Sequence, residues 1–132
     1  MEQKDCIFCK IANKEILSNK IYEDKDFFVF LDNQPVSHGH ILIIPKKHIV
    51  WMQDADDKII SEIFILTKKI MLAMKNSMGC DYVQIGVNGE EIPHFHIHLI
   101  PRYFNDDLPS YPRKKYEEGH EIELIKKITS AL

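Results

Sequence analysis

The sequence lacks the features that would place the chain in a membrane or make it a general binder of nucleic acid. No apolar run approaches the ~20 residues that a transmembrane helix needs. The formal net charge is only −3 over 132 residues, so we expect neither a nucleic-acid partner nor a membrane partner. The segment Met1–Asp5 is too polar for a signal peptide, and we expect a cytoplasmic protein.

Cysteine is also scarce. The chain has three cysteines, an odd count that argues against a secreted disulfide framework, and Cys6 and Cys9 are spaced Cys-x-x-Cys. This spacing suits half of a tetrahedral zinc site, whose other ligands would be histidines because no second Cys-x-x-Cys follows. A thioredoxin-like redox pair is the rival interpretation, less favoured because no predicted strand precedes the motif. The third interpretation is that Cys6 and Cys9 are two half-buried thiols with no functional role.

What the chain does contain is an ordinary globular composition. With 45% apolar and 28% charged residues, it suits one domain with a real core. Its hydrophobic periodicity predicts both helices and strands. We expect Asp5 to cap the first helix, Asp54 or Asp56 to cap the second, and Gly79 to end the second. The predicted helices cover 5–14, 55–78 and 120–131, and the predicted strands cover 19–23, 26–31, 41–45, 82–87 and 93–100.

The most informative stretch is 93–102, in which three histidines alternate with apolar residues. Strict alternation over this length predicts a strand, with His94, His96 and His98 on one face and the apolar side chains on the other. The Asn-Gly pair at 88–89 predicts a turn, so that this strand pairs antiparallel with 82–87. Three imidazoles seldom share one face by chance, and the pattern therefore indicates a functional site.

The residues alone suggest two uses for this histidine face. Alternate strand residues lie ~7 Å apart, so His94 and His98 lie ~14 Å apart and cannot easily share one metal ion. Two of the three histidines could bind a metal with ligands from elsewhere. The other use is a nucleophilic histidine flanked by two helpers, because neutral imidazole attacks phosphorus well and its neighbours can meet the phosphate charge.

Three segments of the chain resemble the histidine triad (HIT) superfamily of nucleotide hydrolases and transferases. They are the histidine run, the segment 38–48 with the sequence HGHILIIPKKH, and the N-terminal Cys-Ile-Phe-Cys. The resemblance covers 6–102 and implies one HIT domain over 1–132, with a core at 5–102 and a C-terminal loop and helix at 103–132. It also implies a compact α+β fold, with a five-stranded antiparallel sheet crossed by one long helix, and a homodimer whose sheets continue across the interface.

The resemblance implies a nucleotidyl-transfer mechanism. His96, the middle histidine, would attack the α-phosphorus and form a nucleotidyl-histidine, which water would then hydrolyse to release a nucleoside monophosphate. His98 would contact phosphate oxygens and help to protonate the leaving group, while His94 and His40 would support the site. The substrates would be purine nucleotides, either nucleoside phosphoramidates or dinucleoside polyphosphates.

The resemblance also implies the residues that bind the substrate. Asn88 would hold the phosphate and the nucleophile, and Asp32 would accept hydrogen bonds from the ribose hydroxyls. Five apolar residues would line the base pocket, although a plain core role is equally open for each of them: Ile7, Phe8, Ile11, Phe30 and Leu31.

Some members of the superfamily carry a structural zinc, and all four ligand positions are present here: Cys6, Cys9, His48 and His94. Two thiolates and two imidazoles form a closed, neutral, tetrahedral set that leaves no position for an activated water. Such an ion would join the N-terminal helix to the histidine strand, and His94 would support His96 through it.

Two departures from the family pattern bear on activity. Many members have a longer glycine-rich loop before the triad, whereas here only Gly-Glu-Glu-Ile-Pro follows Asn88. The carboxylates of Glu90 and Glu91 would be electrostatically unfavourable near a phosphate. The chain also lacks the tryptophan-containing C-terminal end of the Hint-type branch. The alternative function is therefore a nucleotide- and zinc-binding interaction protein with little catalytic turnover.

Overall fold

A five-stranded antiparallel sheet forms the centre of the computed structural model, which describes residues 4–132. The strands are β1 (Lys20–Glu23), β2 (Phe27–Leu31), β3 (Ile41–Pro45), β4 (Tyr82–Gly86) and β5 (Ile97–Arg102), in the spatial order β1-β2-β3-β5-β4. The helices are α1 (Ile7–Ala12), α2 (Asp57–Met78) and α3 (His120–Ala131), with a 3₁₀ turn at Met52–Asp54. The predicted α+β class and sheet are confirmed. The first three residues of the polar N-terminal segment lie outside the described residues.

β3 lies in the middle of the sheet, as its continuous apolar run predicts. It pairs with β2 along its whole length and with β5 through Ile41–Ile43. All of its residues are buried, because α2 covers one face of the sheet and α1 packs on the other. Successive side chains alternate, so Ile41 and Ile43 face α2 while Leu42 and Ile44 face α1.

The limits of α2 follow from its caps and lie close to the predicted 55–78. Asp56 precedes the helix, and its carboxylate accepts a hydrogen bond from the N–H of Ile59 at 2.9 Å. Gly79 ends it in the left-handed conformation, with φ of 67°. Ile65 and Leu72 are exposed on the helix. The buried residues are Ile63, Leu66, Thr67, Ile70 and Met74.

α1 is shorter than the helix predicted for 5–14. Its N-cap is Cys6 and not Asp5, because the sulfur of Cys6 accepts the N–H of Cys9 at 3.5 Å. Four of its six residues are buried, and they pack with Phe28 and Phe30 of β2. This capping arrangement holds both cysteines of the Cys-x-x-Cys motif in and beside the first turn of the helix.

The histidine segment departs from the predicted strand. The hydrogen-bonded ladder of β5 begins at Ile97, so His94 and His96 precede the strand instead of lying within it. If the register with β3 continued, Phe95 would lie opposite Pro45, which has no N–H to give to the ladder. The prediction of a strand over 93–100 is therefore wrong for its first four residues.

The backbone N–H of Phe95 forms its hydrogen bond outside the sheet ladder. It donates to the carbonyl oxygen of Ile49 at 2.6 Å, which ties the histidine segment to the chain that follows β3. The connection between β4 and β5 therefore runs from 87 to 96. The Asn-Gly pair at 88–89 forms part of this loop and is not a two-residue hairpin turn, although β4 and β5 do pair antiparallel as predicted.

The C-terminal part of the chain has the predicted loop and helix. The segment 103–119 contains no helix or strand, and α3 follows it. α3 carries an apolar stripe, yet none of its residues is buried, and Ile122, Ile125 and Ile128 are each more than half exposed. Within residues 4–132, no helix combines the length and the hydropathy that crossing a membrane would require.

Candidate active site and metal centre

Three histidines lie side by side on the face of the sheet that α1 covers. His98 lies in β5 opposite Leu42 of β3, and His40 immediately precedes β3. His96 comes from the segment that leads into β5. The ring centroids of His96 and His98 are 4.8 Å apart, and those of His40 and His98 are 5.1 Å apart. Two loops and one central strand therefore deliver these rings to one place.

The backbone holds one ring nitrogen of His96. Nδ1 of His96 lies 2.7 Å from the carbonyl oxygen of His94. A carbonyl oxygen only accepts hydrogen bonds, so neutral His96 carries its proton on Nδ1 and has a lone pair on Nε2. Burial lowers the pKa of His96 below its usual value, which favours the neutral ring. Phe8 packs edge-on against this ring, with 5.0 Å between the centroids.

His40 and His98 form a second hydrogen-bonded pair. Nε2 of His40 lies 2.9 Å from Nδ1 of His98, and the backbone N–H of Val36 donates to Nδ1 of His40 at 3.1 Å. Burial is the main cause that lowers the pKa of both rings, that of His98 to about 4. Within residues 4–132, Nε2 of His98 has no hydrogen-bond partner. No sequence pattern pointed to Val36.

Asp32 adds a carboxylate to this pair. Its Oδ2 lies 3.7 Å from Nε2 of His40, and its Oδ1 accepts the N–H of Gln34 at 2.9 Å. The ligand atoms of Asp32, His40 and His98 all lie within 4.8 Å of one another. The side chain of Asp32 is 23% exposed, so it remains accessible to a ligand hydroxyl.

Three of the five predicted pocket residues lie in one buried cluster. Phe8, Ile11 and Phe30 belong to the cluster on the α1 face of the sheet, and Phe8 packs edge-on against both Phe30 and His96. Ile92, which no sequence pattern singled out, packs against the same cluster. An apolar surface therefore adjoins His96.

The other two predicted pocket residues do not belong to this buried cluster. Leu31 packs with the cluster on the α2 face of the sheet, because it follows Phe30 in β2 and its side chain points to the opposite side. Leu31 and Phe30 thus lie on opposite faces of β2, and the role of Leu31 in the base pocket stays a prediction. Ile7 is 46% exposed on α1 and does not belong to the buried cluster.

The loop between β4 and β5 brings negative charge toward His96. Glu91 raises the pKa of His96, against the larger effect of burial. The side-chain oxygen of Asn88 accepts the N–H of Gly89 at 2.8 Å. Gly89 is buried with φ of 99°, and a Cβ at this position would lie 3.2 Å from Cζ3 of Trp51. Trp51, which the sequence patterns also missed, thus packs directly on this loop.

A second cluster consists of Cys6, Cys9, His48 and His94, whose ligand atoms all lie within 4.8 Å of one another. Nδ1 of His94 lies 3.3 Å from Sγ of Cys6 and 3.5 Å from Sγ of Cys9. Nδ1 of His48 lies 3.3 Å from Sγ of Cys9. In tetrahedral zinc sites, bonds of ~2.3 Å to sulfur and ~2.1 Å to nitrogen place these two atoms ~3.6 Å apart. The four residues therefore fit zinc without a large rearrangement.

The second ring nitrogens of the two histidines agree with this fit. Nε2 of His94 lies 2.8 Å from the carbonyl oxygen of Pro45, so the proton is on Nε2 and the lone pair of Nδ1 faces the cysteines. Burial lowers the pKa of His94 to about 4, which favours the neutral ring that a metal requires. Nε2 of His48 is buried without a partner among the described residues, so Nδ1 is the ring atom that contacts Cys9.

The two clusters share no residue. His94 belongs to the cysteine cluster, whereas His98 belongs to the group with Asp32 and His40. This division agrees with the expectation that His94 and His98 do not share one ion. His96 lies between them in the chain and is a member of neither cluster.

Comparison with known proteins agrees with this architecture. A sequence model of the HIT domain matches residues 13–105, which is most of the chain. The chain is also 41% identical over 101 residues to the adenosine 5'-monophosphoramidase HNT1 of Saccharomyces cerevisiae, and the alignment covers 74% of this chain and 62% of that protein. This chain belongs to the HIT family.

Solved structures show the same fold. The crystal structure of SMU.412c from Streptococcus mutans UA159 superimposes with a TM-score of 0.89 at 30% identity and covers 98% of this chain and 87% of that one. A Zn-bound histidine triad family protein from Mycobacterium smegmatis superimposes with a TM-score of 0.75 at 27% identity and covers 97% of this chain and 98% of that one.

Proposed function

We propose that this HIT-family protein is a nucleotide hydrolase that cleaves nucleoside phosphoramidates or dinucleoside polyphosphates through a nucleotidyl-histidine on His96. The observation that carries the proposal is the 2.7 Å contact between Nδ1 of His96 and the carbonyl oxygen of His94. This contact gives Nε2 the lone pair that attack on phosphorus requires. The similarity to an adenosine 5'-monophosphoramidase supports adenosine phosphoramidate as the first substrate to test.

The reaction proceeds in two displacements. The lone pair of His96 Nε2 forms a bond to the α-phosphorus, and the bond to the leaving group breaks with its electron pair. Water then attacks the same phosphorus, His96 leaves, and a nucleoside monophosphate is released. Two steps are faster than direct hydrolysis because imidazole, a better nucleophile than water, attacks in the step that expels the leaving group. The Nδ1 proton stays on the ring, hydrogen-bonded to the His94 carbonyl, which stabilises the positive charge that forms there.

The neighbouring residues are proposed to bind the rest of the nucleotide. His98 and Asn88 donate hydrogen bonds to phosphate oxygens, and loss of one such donor at comparable sites lowers kcat by ~10²–10³-fold. Asp32 accepts hydrogen bonds from the ribose hydroxyls, which its partial exposure allows. The apolar cluster around Phe8, beside His96, receives the purine base.

Cys6, Cys9, His48 and His94 are proposed to hold a structural zinc ion. Their spacing supports this assignment, as does the Zn-bound family member from Mycobacterium smegmatis. When bound, zinc would join α1 to the histidine segment and would have no open position for water, since four protein ligands complete the tetrahedron. Zinc bound to both thiolates would leave no free dithiol for a redox role, and the reducing cytoplasm, the proposed location, would keep both thiols available as ligands.

The acidic loop favours a second candidate, a nucleotide- and zinc-binding interaction protein with little turnover. The charge of Glu91 acts on His96, so the same carboxylate would repel a phosphate at that ring. Repulsion would weaken both the attack and the departure of an anionic leaving group. Glu90 adjoins this residue and adds a second negative charge to the loop.

The deciding experiment measures AMP release from an adenosine phosphoramidate. We expect turnover by the wild-type chain and a loss of roughly 10³-fold or more in His96→Ala, because removal of a nucleophile removes the covalent route. His120→Ala is the matched control, since His120 is exposed on α3 and outside the site. A wild-type chain that binds AMP but releases none would move the interaction protein to first place, and recovery of turnover in Glu91→Gln would identify the loop as the cause.

A homodimer is also proposed. β4 is an edge strand, and Tyr82 and Ile85 are 41% and 40% exposed on it. Ile65 and Leu72 add exposed apolar area on α2. An unpaired edge beside exposed apolar side chains is a surface that a second copy would cover. Sedimentation equilibrium would then give twice the 15.5 kDa chain mass, and Ile65→Glu would shift the protein toward monomer. A wild-type monomer would contradict the proposal.

A further inference from the structure

The protonation of this site follows from His40. Both of its ring nitrogens are occupied: Nδ1 receives the backbone N–H of Val36 at 3.1 Å, and Nε2 lies 2.9 Å from Nδ1 of His98. A backbone N–H only donates, so Nδ1 of His40 must hold a lone pair. The single proton of the neutral His40 ring is therefore on Nε2.

The same reasoning extends to His98. Its Nδ1 receives the proton of His40 Nε2, so the proton of His98 itself is on Nε2. Burial lowers the pKa of both rings, so neither holds a second proton near neutral pH. His98 thus presents an N–H at Nε2, whereas His96 presents a lone pair at Nε2. The Val36 amide and the His94 carbonyl give the two adjacent rings opposite functions.

A metal ion is the other use that Asp32, His40 and His98 suggest, because their ligand atoms lie within 4.8 Å. Metal binding at His40 Nε2 would require a lone pair there and would move the His40 proton to Nδ1. That proton would then oppose the N–H of Val36. The carboxylate of Asp32, 3.7 Å from His40 Nε2, also favours a proton on that atom. The group is therefore arranged to donate a hydrogen bond and not to bind a cation.

We propose that the backbone N–H of Val36, acting through His40, holds His98 as the neutral Nε2–H tautomer, so that His98 donates a hydrogen bond to the transferring phosphoryl group without giving up its proton. Val36 and His40 are positioning residues in this arrangement. The proposal rests on the function proposed above and departs from the expectation that His98 protonates the leaving group.

The proton balance supports this assignment. A neutral His98 that lost its Nε2 proton would become an anionic imidazolate, and His40 has no second proton to replace it. When the P–N bond of a phosphoramidate breaks, its electron pair leaves with the amine nitrogen. The proton that this nitrogen requires comes from water or is already on the substrate nitrogen. His98 contributes by stabilising charge on the phosphoryl oxygens, and stabilisation of this kind supplies much of the rate enhancement at many such sites.

The first test reads the tautomers directly and needs no substrate. Two-bond ¹H–¹⁵N correlation spectra of the wild-type chain distinguish Nδ1–H, Nε2–H and doubly protonated histidine rings. We expect neutral Nε2–H rings for both His40 and His98 at pH 7. An Nδ1–H ring at His40, or a doubly protonated His98 at this pH, would overturn the proposal.

The second test removes the donor. Val36→Pro lacks the N–H, whereas Val36→Ala keeps it, and both changes fall on a residue that is 52% exposed. We expect the His40 signal to show an Nδ1–H fraction in Val36→Pro and to keep the wild-type tautomer in Val36→Ala. The same tautomer in both variants would show that the N–H is not the determinant.

The third test separates hydrogen bonding from proton donation. The hydrolysis rates of the wild-type chain and of His98→Ala are measured on a series of adenosine phosphoramidates whose leaving amines differ in basicity. A hydrogen bond to the phosphoryl oxygens predicts the same fold loss, ~10²–10³, for every leaving group. A loss that grows steadily with amine basicity would identify His98 as the acid and overturn the proposal. Absence of wild-type turnover would count against the proposed function, while the spectra would still decide the tautomers.

Discussion

The carbonyl oxygen of His94 lies 2.7 Å from Nδ1 of His96, while the ring of the same His94 lies 3.3 Å from Sγ of Cys6. One residue therefore links the cysteine cluster to the proposed nucleophile. Its ring is held at the remaining nitrogen, Nε2, by the carbonyl oxygen of Pro45. A change that displaces His94 is expected to disturb the tautomer of His96 as well as metal binding.

Loss of one thiol ligand is expected to remove zinc and its contribution to stability. In Cys9→Ser, the zinc content measured by mass spectrometry should fall from one ion per chain to near none. Its melting temperature should lie several degrees below that of the wild type, since roughly 1 kcal/mol corresponds to about 4 °C for a domain of this size. EDTA should lower the wild-type value and leave the variant unchanged.

Cys80→Ser is the control for this prediction. Cys80 is buried in the cluster on the α2 face of the sheet and is not part of the metal-ligand cluster. The variant should keep its zinc and its response to EDTA, whatever its melting temperature. A wild-type chain purified without zinc and indifferent to added zinc would contradict the structural-zinc proposal.

The pH dependence of kcat/KM should report the buried nucleophile. Burial lowers the pKa of His96 below the ordinary 6.5, and only the neutral ring attacks phosphorus. Activity should therefore be level at and above pH 6.5 and fall as the pH drops through the lowered pKa. An acid limb centred above 6.5 would mean that the nucleophile is not the buried, neutral His96.

Folding stability should also fall in mild acid. His98 has a folded pKa of about 4, mainly through burial, against 6.5 in the unfolded chain, so only the unfolded chain binds the extra proton between these values. The contribution is complete above pH 6.5 and is lost as the pH falls toward 4. Urea unfolding between pH 7.5 and 4.5 measures it. His98→Gln should bind about one proton fewer on unfolding, whereas His120→Gln should keep the wild-type slope.

This pH window avoids the carboxylates with lowered pKa values. Lys46 lowers the pKa of Glu23 to about 2, from 4.5, through a contact of 2.6 Å. The stabilisation from that pair is present above pH 4.5 and is lost only as the pH falls toward 2. A wild-type slope that His98→Gln leaves unchanged between pH 6.5 and 4.5 would show that His98 is not buried as a neutral ring.

Gly89→Ala tests how Trp51 holds the loop before the histidines. The new Cβ would lie 3.2 Å from the Trp51 ring, and φ of 99° is strained for any other residue. Gly119→Ala is the matched control, because Gly119 also has a positive φ, of 80°, but nothing lies within 4 Å of the new Cβ. Both should lose ~1–3 kcal/mol of stability from the backbone. Only Gly89→Ala should also raise KM, because the loop with Asn88 must shift. Equal KM values would show that the Trp51 contact is dispensable.

Local patterns carried much of the architecture. The apolar run at 41–45 predicted a central strand, because only a strand covered on both faces is apolar throughout. Helical periodicity with Asp56 and Gly79 at its ends predicted α2 closely. The antiparallel pairing of 82–87 with the histidine segment was predicted from the Asn-Gly pair at 88–89, and it is correct although this pair lies in a longer loop. These features depend on residues that are close together in the sequence, so local patterns are enough to predict them.

Other features depended on contacts between distant residues. Alternation predicted a strand through His94 and His96, but the ladder begins at Ile97 because Pro45, far away in the chain, cannot donate to it. Leu31 was grouped with Phe30 through the family resemblance, whereas the alternation of side chains along the strand places these adjacent residues on opposite faces. Local spacing could not reveal where the ladder of β5 begins, because that depends on which residue of β3 lies opposite.

The sequence by itself determined the α+β class, the family, the long helix and the residues available for chemistry: one Cys-x-x-Cys, three alternating histidines, and His40 and His48 upstream. The family resemblance had already grouped His94 with the cysteines, and the tertiary structure gave the contacts, with His94 beside Cys6 and His98 beside His40. The tertiary structure alone placed the donors and acceptors from which the protonated nitrogen of each ring is inferred. The physical reason is that a tautomer is set by the donor or acceptor that faces the ring, and for His40 that group is a backbone N–H that no sequence motif encodes.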